Sequence, residues 1–222
     1  MDHRKRIHQQ ESYRKIISAR DKKYIWNMKG LTDFLNEGID YKTGNPNRDD
    51  VVKWIDENYI CTGLKISDKP YKYSGMYEVS ARDVEVKNKN ITSLTNGMFV
   101  WTEVSGNFIC NYCKKLTSLK GAPEEVGKTF SCRYCDLLKS LEGAPRQVGD
   151  NFYCLHCKSL VSLNDGPDVV GNHFDCAGCN SLMSLEGSPL YVGGYFDCSE
   201  CGINFTENDV KIISKVKGKI IC

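Results

Sequence analysis

Ten cysteines of this chain fall into five C-x-x-C pairs, a spacing from which many metal and redox sites are built. Each pair follows the previous one by 22 residues, so two successive pairs read C-x2-C-x18-C-x2-C, a spacing typical of zinc sites. The pattern therefore admits a metal, a redox or a purely structural role. The pairs are Cys110/Cys113, Cys132/Cys135, Cys154/Cys157, Cys176/Cys179 and Cys198/Cys201.

A structural role is favoured by the residues around each pair. Phe130 lies two positions before Cys132, so both side chains point to the same face of a strand. Free cysteine packs as a small hydrophobic residue, and a cysteine at the position of Cys135 can also bond weakly to turn backbone. If the chain stays extended from Cys132 to Cys135, it spans about 10 Å, too far for a tight zinc knuckle. The sequence thus predicts core thiols without bound metal, with structural zinc as the alternative.

No catalytic arrangement emerges from the remaining polar residues. His156 and His173 lie in successive units, and Asp175 is close to His173, but a cysteine nucleophile would need an exposed thiol of low pKa. The glycines follow the repeat and serve turns, and none of them forms a phosphate-binding motif. We therefore predict a protein that is not an enzyme and needs no cofactor.

The 22-residue step extends well beyond the cysteines. The unit reads V-G-x-x-F-x-C-x-x-C-x-x-L-x-S-L-x-G-x-P, and a fixed period with fixed apolar columns indicates stacked coils. The G-x-P segment favours a turn over a helix on the return side, which predicts one short strand per coil and an irregular back. The columns are Val104, Val126, Val148, Val170 and Val192; Phe108, Phe130, Phe152, Phe174 and Phe196; Leu116, Leu138, Leu160 and Leu182; and Leu119, Leu141, Leu163 and Leu185.

The segment F-x-C-x-x-C-x-x-L-x-S-L resembles the leucine-rich-repeat frame L-x-L-x-x-N/C-x-L. Phe130 and Cys132 take the two strand-core places and Cys135 takes the Asn/Cys place, while Leu138 falls one position late. The whole unit resembles leucine-rich-repeat proteins that tailed bacteriophages encode, and 51–59 and 84–94 are similar to their entry cap. The resemblance covers roughly residues 50–205 and implies an α+β leucine-rich-repeat solenoid with short parallel strands and a helix-poor convex side.

The predicted organisation has four parts. Residues 1–75 form a basic, helical N-terminal region and entry cap, residues 76–103 a degenerate first coil, residues 104–205 five repeats of which the fifth is incomplete, and residues 206–222 a C-terminal capping helix. Asn47 with Asp50, and Thr206 with Asp209, have the spacing of helix-capping pairs. Two further expectations are that 77–86 alternates as a strand pair does, and that Val84, Val86, Ile91 and Leu94 supply the core of the first coil.

Charge is distributed unevenly along the chain. The net charge is +2, but residues 1–30 contain nine Lys/Arg and three Asp/Glu, which leaves −4 for the rest. Residues 1–28 are expected to form a basic helix. Nucleic-acid association through residues 1–30 is therefore an alternative function, and the other reading of this segment is a solvated helix without that role. The sequence shows no apolar run of membrane-spanning length and no secretory h-region at its start, which predicts a cytoplasmic protein without membrane contact.

Binding residues are expected where the repeats differ, because the shared columns are fixed by packing. We predict that the outward strand positions form a continuous binding surface, which we call the ribbon. One end of the ribbon is aromatic with a basic spot, and the other end is acidic. Exposed aromatic side chains suit a protein interface. The resemblance to phage proteins implies a host or phage protein as partner, including a host defence protein. The ribbon consists of Tyr112, Arg133, Tyr134, Tyr153, Leu155, His156, His173, Asp175, Tyr195 and Asp197, and Ser131 is expected to face outward beside them.

Overall fold

The computed structural model describes residues 47–70 and 75–222, which form a β-solenoid of about seven turns with mainly parallel strands and few helices. The prediction of a solenoid is therefore confirmed. The predicted basic helix at 1–28 and the charged segment 1–30 lie outside the described residues. The two helices in the described part of the chain are α1 (Arg48–Asn58) and α2 (Glu207–Ile213).

Two eight-stranded sheets run the length of the solenoid. We call the first the Phe sheet because five of its strands begin with the repeated phenylalanine. Its strands, in order across the sheet, are β1 (Tyr59–Thr62), β4 (Asp83–Val86), β6 (Phe108–Ile109), β8 (Phe130–Ser131), β10 (Phe152–Tyr153), β12 (Phe174–Asp175), β14 (Phe196–Asp197) and β16 (Ile220–Ile221).

The second sheet, the Val sheet, contains the repeated valine that precedes glycine. Its strands are β2 (Lys65–Ile66), β3 (Tyr77–Ala81), β5 (Phe99–Val104), β7 (Glu125–Val126), β9 (Gln147–Val148), β11 (Val169–Val170), β13 (Tyr191–Val192) and β15 (Lys215–Val216). Neighbouring strands are parallel in both sheets, except for the antiparallel pairs β1–β4 and β2–β3 at the first turns.

The prediction of one strand per coil is wrong, because each repeat contributes extended residues to both sheets. The residues before V-G are extended and pair with the coils on either side, as Val170 does with Val148 and Val192. Likewise, 77–86 is not a strand pair: β3 and β4 lie in different sheets. Alternation of polar and apolar residues marks extended backbone, but it does not identify the neighbour with which that backbone pairs.

The glycine after the valine is required by the closeness of the coils. A Cβ atom at Gly171 would lie 1.9 Å from the carbonyl oxygen of Gly149, and one at Gly149 would lie 2.0 Å from that of Gly127. No side chain fits such an approach, so the backbone of one coil rests directly on the next. This contact explains why the V-G dipeptide recurs in four of the five repeats, with Ser105 following the valine in the first.

The core is formed by the columns that the repeat predicts. All five repeated phenylalanines are fully buried, and the centroids of neighbouring rings lie 5.0–5.6 Å apart; the first three pairs are stacked, and the pair Phe174–Phe196 is tilted by 41°. The leucine columns and both members of the first four cysteine pairs are also buried. Val84, Val86, Ile91 and Leu94 join the same core in the turn before the regular repeats, as expected.

Helix α1 begins and packs as its sequence indicates. Asn47 and Asp50 form reciprocal side-chain-to-backbone hydrogen bonds of 2.9 and 3.2 Å, the predicted capping box. Val51 and Ile55 are buried, and the Trp54 ring lies 5.7 Å from that of Phe99. The helix thus contributes apolar side chains to the core of the first turns.

The segment 206–222 differs from the predicted single helix. Thr206 and Asp209 do form a capping box, but α2 ends at Ile213 and the chain then adds β15 and β16 to the two sheets. Val210 is fully buried whereas Ile212 is 82% exposed, so the expected apolar face is only partly used. The residues after the helix pair with the preceding coil because its sheet edges offer unsatisfied backbone groups.

No helix among the described residues has the length and apolar character needed to cross a membrane.

Candidate functional site

Each C-x-x-C segment is a tight turn, which overturns the expectation of an extended connection. The second residue between the cysteines has a positive φ in all five units, between 55° and 68°. The five segments therefore share one backbone conformation although their side chains differ. The residues are Tyr112, Tyr134, His156, Gly178 and Glu200.

The thiols at these turns bond to backbone of the preceding coil. The Sγ of Cys135 donates to the carbonyl oxygen of Cys110 at 3.2 Å, and the Sγ of Cys157 donates to that of Cys132 at 3.1 Å. The same bond recurs twice more, at 3.3 and 3.4 Å. Within 47–70 and 75–222, no group of three or more His, Cys, Asp and Glu residues could hold a metal ion.

Burial disfavours the ionised form of these thiols. Cys110 and Cys154 are fully enclosed, and desolvation raises the pKa of each well above the ordinary value of 9.0. A protonated thiol is both a weak donor and a poor nucleophile. The chemistry of these two cysteines in the folded protein is therefore that of packing and hydrogen bonding.

The turn residues build an aromatic stack along the outside of the solenoid. The rings of Tyr112 and Tyr134 lie 4.8 Å apart and nearly parallel, at 3°, and those of Tyr134 and His156 lie 4.8 Å apart at 22°. Tyr112, 51% exposed, is the most accessible of the three. The stack ends at Gly178, where a Cβ atom would lie 2.2 Å from Nδ1 of His156.

A second cluster occupies the outward face of the Phe sheet. The guanidinium of Arg133 lies 4.1 Å from the ring centroid of Tyr153, a cation–π contact. One coil further on, the rings of His173 and Tyr195 stack at 3.9 Å, and Nδ1 of His173 accepts the backbone N–H of Tyr195 at 3.1 Å. All four side chains are half-buried, so they are held in place while still reaching the surface.

Two aspartates complete this cluster at its acidic end. Asp175 and Asp197 are in-register partners on β12 and β14, and each accepts a local backbone N–H, from Ala177 at 3.0 Å and Ser199 at 2.9 Å. Desolvation raises the pKa of Asp175, and the negative charge of Asp197 adds to this effect. Burial, the neighbouring Tyr153 and the two carboxylates raise the pKa of Tyr195 to about 12.

The structure thus brings the predicted ribbon residues together as two groups. The turn stack contains Tyr112, Tyr134 and His156, and the face cluster contains Arg133, Tyr153, His173, Asp175, Tyr195 and Asp197. Leu155 is half-buried, and its carbonyl oxygen accepts the N–H of Tyr134 at 3.1 Å.

The prediction that Ser131 faces outward is wrong, because the residue is only 2% exposed. The side chain of Asn111 lies over it: Oδ1 of Asn111 accepts from Oγ of Ser131 at 2.6 Å and from the N–H of Arg133 at 2.9 Å. A small residue on a strand is easily covered by a longer neighbour, which strand alternation alone does not reveal.

Sequence reasoning also missed an exposed apolar row at the corner after the C-x-x-C turns. Its four side chains come from successive coils and are 40–59% exposed. Three of them are next in sequence to a buried leucine, namely Leu138, Leu160 or Leu182, so the only available signal was an apolar residue beside a core position. The fourth has no such neighbour and gave no signal. The row consists of Leu137, Val161, Met183 and Ile203.

Comparison with protein-family models, with curated proteins and with solved structures gave no match to this chain.

Proposed function

We propose that this chain is a non-enzymatic protein-binding module of the leucine-rich-repeat type, which recognises a protein partner through the ribbon. The observation that carries the proposal is the pair of ordered aromatic groups on one side of the solenoid, the turn stack and the face cluster. Aromatic side chains held rigid by stacking lose little entropy on binding, and residues of this kind dominate protein interfaces.

The charges of the face cluster suit a polar partner surface. Arg133 lies at one end, over Tyr153, and the two carboxylates of Asp175 and Asp197 lie at the other. Such a pattern favours one orientation of a partner over others, because complementary charges fix register. The ribbon therefore combines aromatic side chains with a positive charge at one end and negative charges at the other.

The repeat frame resembles phage-encoded leucine-rich-repeat proteins, and on this resemblance we propose that the partner is a host or phage protein met in the host cytoplasm. A host defence protein is one such partner. This part of the proposal rests on sequence resemblance, and the location of the binding surface rests on the aromatic groups.

The test is affinity capture from a bacterial host lysate at high salt, followed by titration of the captured protein. The ribbon variant combines Tyr134→Asn with Tyr153→Ser: asparagine tolerates the positive φ at 134, and serine occupies the equivalent strand position at 131. We expect the variant to melt close to the wild type and to bind at least roughly 30-fold more weakly, corresponding to about 2 kcal/mol.

A matched control alters the exposed apolar row instead, with Val161→Ser and Met183→Ser. We expect this control to bind as the wild type does. The proposal fails if the ribbon variant retains full affinity. It also fails if no protein is captured at high salt and the wild type binds nucleic acid in a salt-dependent way that is lost when residues 1–30 are removed. The latter result would identify the basic segment as the functional part.

A further inference from the structure

The column of first cysteines continues at the residue after the final strand of the Phe sheet. The last coil is longer than the repeats, since Phe196 pairs with Ile220 and Asp197 with Ile221. One residue further on, Cys222 therefore stands beside Cys198, and their Sγ atoms are 3.4 Å apart. A search for cysteines at the 22-residue step misses this neighbour, because the step is 24 residues here.

This thiol pair differs from the other members of the column. Cys110, Cys132, Cys154 and Cys176 are fully buried between coils on both sides. Cys222 is exposed, and it follows β16, the last strand of the Phe sheet, which pairs only with β14 among the described residues. An oxidant that cannot reach the interior thiols can therefore reach this one.

Cys198 is positioned to react second. It is 1% exposed, its N–H donates to the carbonyl oxygen of Ile221 at 2.9 Å, and its Sγ lies 3.5 Å from the same oxygen. Adjacent strands are about 4.8 Å apart, and the Cα atoms of disulfide-bonded cysteines are usually about 4.4–6.8 Å apart. Closing a bond between Cys198 and Cys222 thus requires side-chain rotation and little movement of the backbone.

We propose that Cys198 and Cys222 form an oxidative modification site, which reacts with low-molecular-weight disulfides of the glutathione type to give an intrachain disulfide. The Cys222 thiolate attacks one sulfur of the small disulfide and expels one thiolate, leaving a mixed disulfide. The Cys198 thiolate then attacks the Cys222 sulfur and expels the second small thiolate. Two protein thiols lose two protons and two electrons, and one small disulfide becomes two thiols.

The bond links the last strand of the Phe sheet to the preceding coil. It closes a loop that contains α2, β15 and β16, so it restricts the unfolded chain and holds the end of the solenoid. It also lies one residue from Asp197 and so fixes the strand pair next to the acidic end of the face cluster. The site does not depend on the proposed protein-binding function.

The experiment exposes the reduced full chain to buffers with increasing ratios of oxidised to reduced glutathione. Free thiols are then alkylated, and proteolytic peptides are identified by mass spectrometry. Cleavage after Lys219 places Cys222 on the peptide that begins with Ile220, and fragmentation spectra assign the cysteine joined to it. We expect this peptide to be joined to Cys198 and the oxidised protein to melt a few degrees higher than the reduced protein.

Three variants separate the proposed chemistry from general oxidation. Cys222→Ser should show neither the cross-link nor the rise in melting temperature, and Cys198→Ser should stop at the mixed disulfide between Cys222 and glutathione. Cys201→Ser, which removes the nearby half-buried thiol, should form the cross-link as the wild type does. The proposal is overturned if Cys222 of the wild type stays reduced, remains a mixed disulfide at every ratio, or joins Cys201.

Discussion

The first turns and the regular repeats both pack aromatic rings, but they do so in different geometries. In the repeats, Phe108, Phe130 and Phe152 stack almost parallel, at 13° and 18°. In the first turns, Trp101 meets Tyr59 and Phe99 edge to face, at 83° and 85°. The repeats use one contact many times, whereas the first turns use several contacts once.

The difference shows what a repeat cannot supply. A coil in the array is covered on each side by a neighbour with the same core residues, so one packing arrangement suffices. Among the described residues, the first turn has such a neighbour on one side only. On its other side lie the antiparallel strands β1 and β2 and the side chains of α1, which follow a helical spacing. Tyr59 illustrates the change: its hydroxyl donates to the carbonyl oxygen of Leu94, a buried bond with no counterpart at the repeated phenylalanines.

The largest expected effect comes from breaking the stack in the middle of the array. Phe152→Ala removes a fully buried ring from between Phe130 and Phe174 and should lower the free energy of unfolding by about 3–5 kcal/mol. Denaturant titration measures this loss. Tyr153→Ser on the next, half-buried position is the control and should cost much less; equal losses would mean that the inward and outward faces are wrongly assigned.

High pH should weaken the array through its buried thiols. In the unfolded chain thiols ionise near pH 9, whereas burial raises the pKa of Cys110 and Cys154 above this value in the folded protein. Their contribution to stability is therefore constant below pH 9 and lost as the pH rises beyond it, at about 1.4 kcal/mol per thiol and pH unit.

Cys154→Ala provides the comparison for this effect. Denaturant titrations between pH 7 and pH 10, set around the ordinary thiol pKa of 9.0, should show a shallower loss of stability in the variant than in the wild type. Identical slopes in the two proteins would indicate that Cys154 ionises in the folded state as readily as in the unfolded one.

The smallest expected effect concerns low pH and the first turns. Asp83 accepts the backbone N–H and the side-chain amide of Asn107, both at 3.0 Å, and the Thr62 hydroxyl at 3.0 Å. The Asn107 backbone bond makes the largest contribution in lowering the pKa of Asp83 to about 2 from 3.8. This stabilisation is present above pH 3.8 and is lost as the pH falls toward 2.

Asp83→Asn should therefore weaken the protein slightly at neutral pH and reduce the fall in melting temperature between pH 4 and pH 2, the range set by the two pKa values. Glu85→Gln, on the same strand but exposed, serves as the control and should keep the acid dependence of the wild type. An unchanged acid dependence in Asp83→Asn would show that these bonds do not hold the first turns together.

The sequence predicted the solenoid and its core because both depend on side chains that recur. The columns of Phe152, Leu160 and Val170 identify the inward positions, and Asn47 and Thr206 mark the two helix starts. The second strand of each coil was missed because two extended residues carry no alternation of their own. These two residues pair with the equivalent residues of neighbouring coils, and the order of residues along the chain does not show that contact.

The residues of the candidate site were found in part, because positions that differ between repeats point outward more often than not. The geometry of the turn was missed, since glycine is the usual sign of a positive φ and only Gly178 shows it among the five units. Tyr112, Tyr134 and His156 adopt the same conformation in the other coils. The ring stack that results could not be derived from residue types alone.

The unequal length of the final coil has a consequence for engineering. Between Cys201 and Lys215 the chain forms α2 and still returns to both sheets in register. In the earlier coils the equivalent segment is the S-L-x-G-x-P turn, as at Ser184–Pro189, with Asp165 in place of the glycine in one coil. This return segment is therefore where the scaffold accommodates a change in loop length, and it is the place to graft a foreign peptide without shifting the ladder of hydrogen bonds on either side.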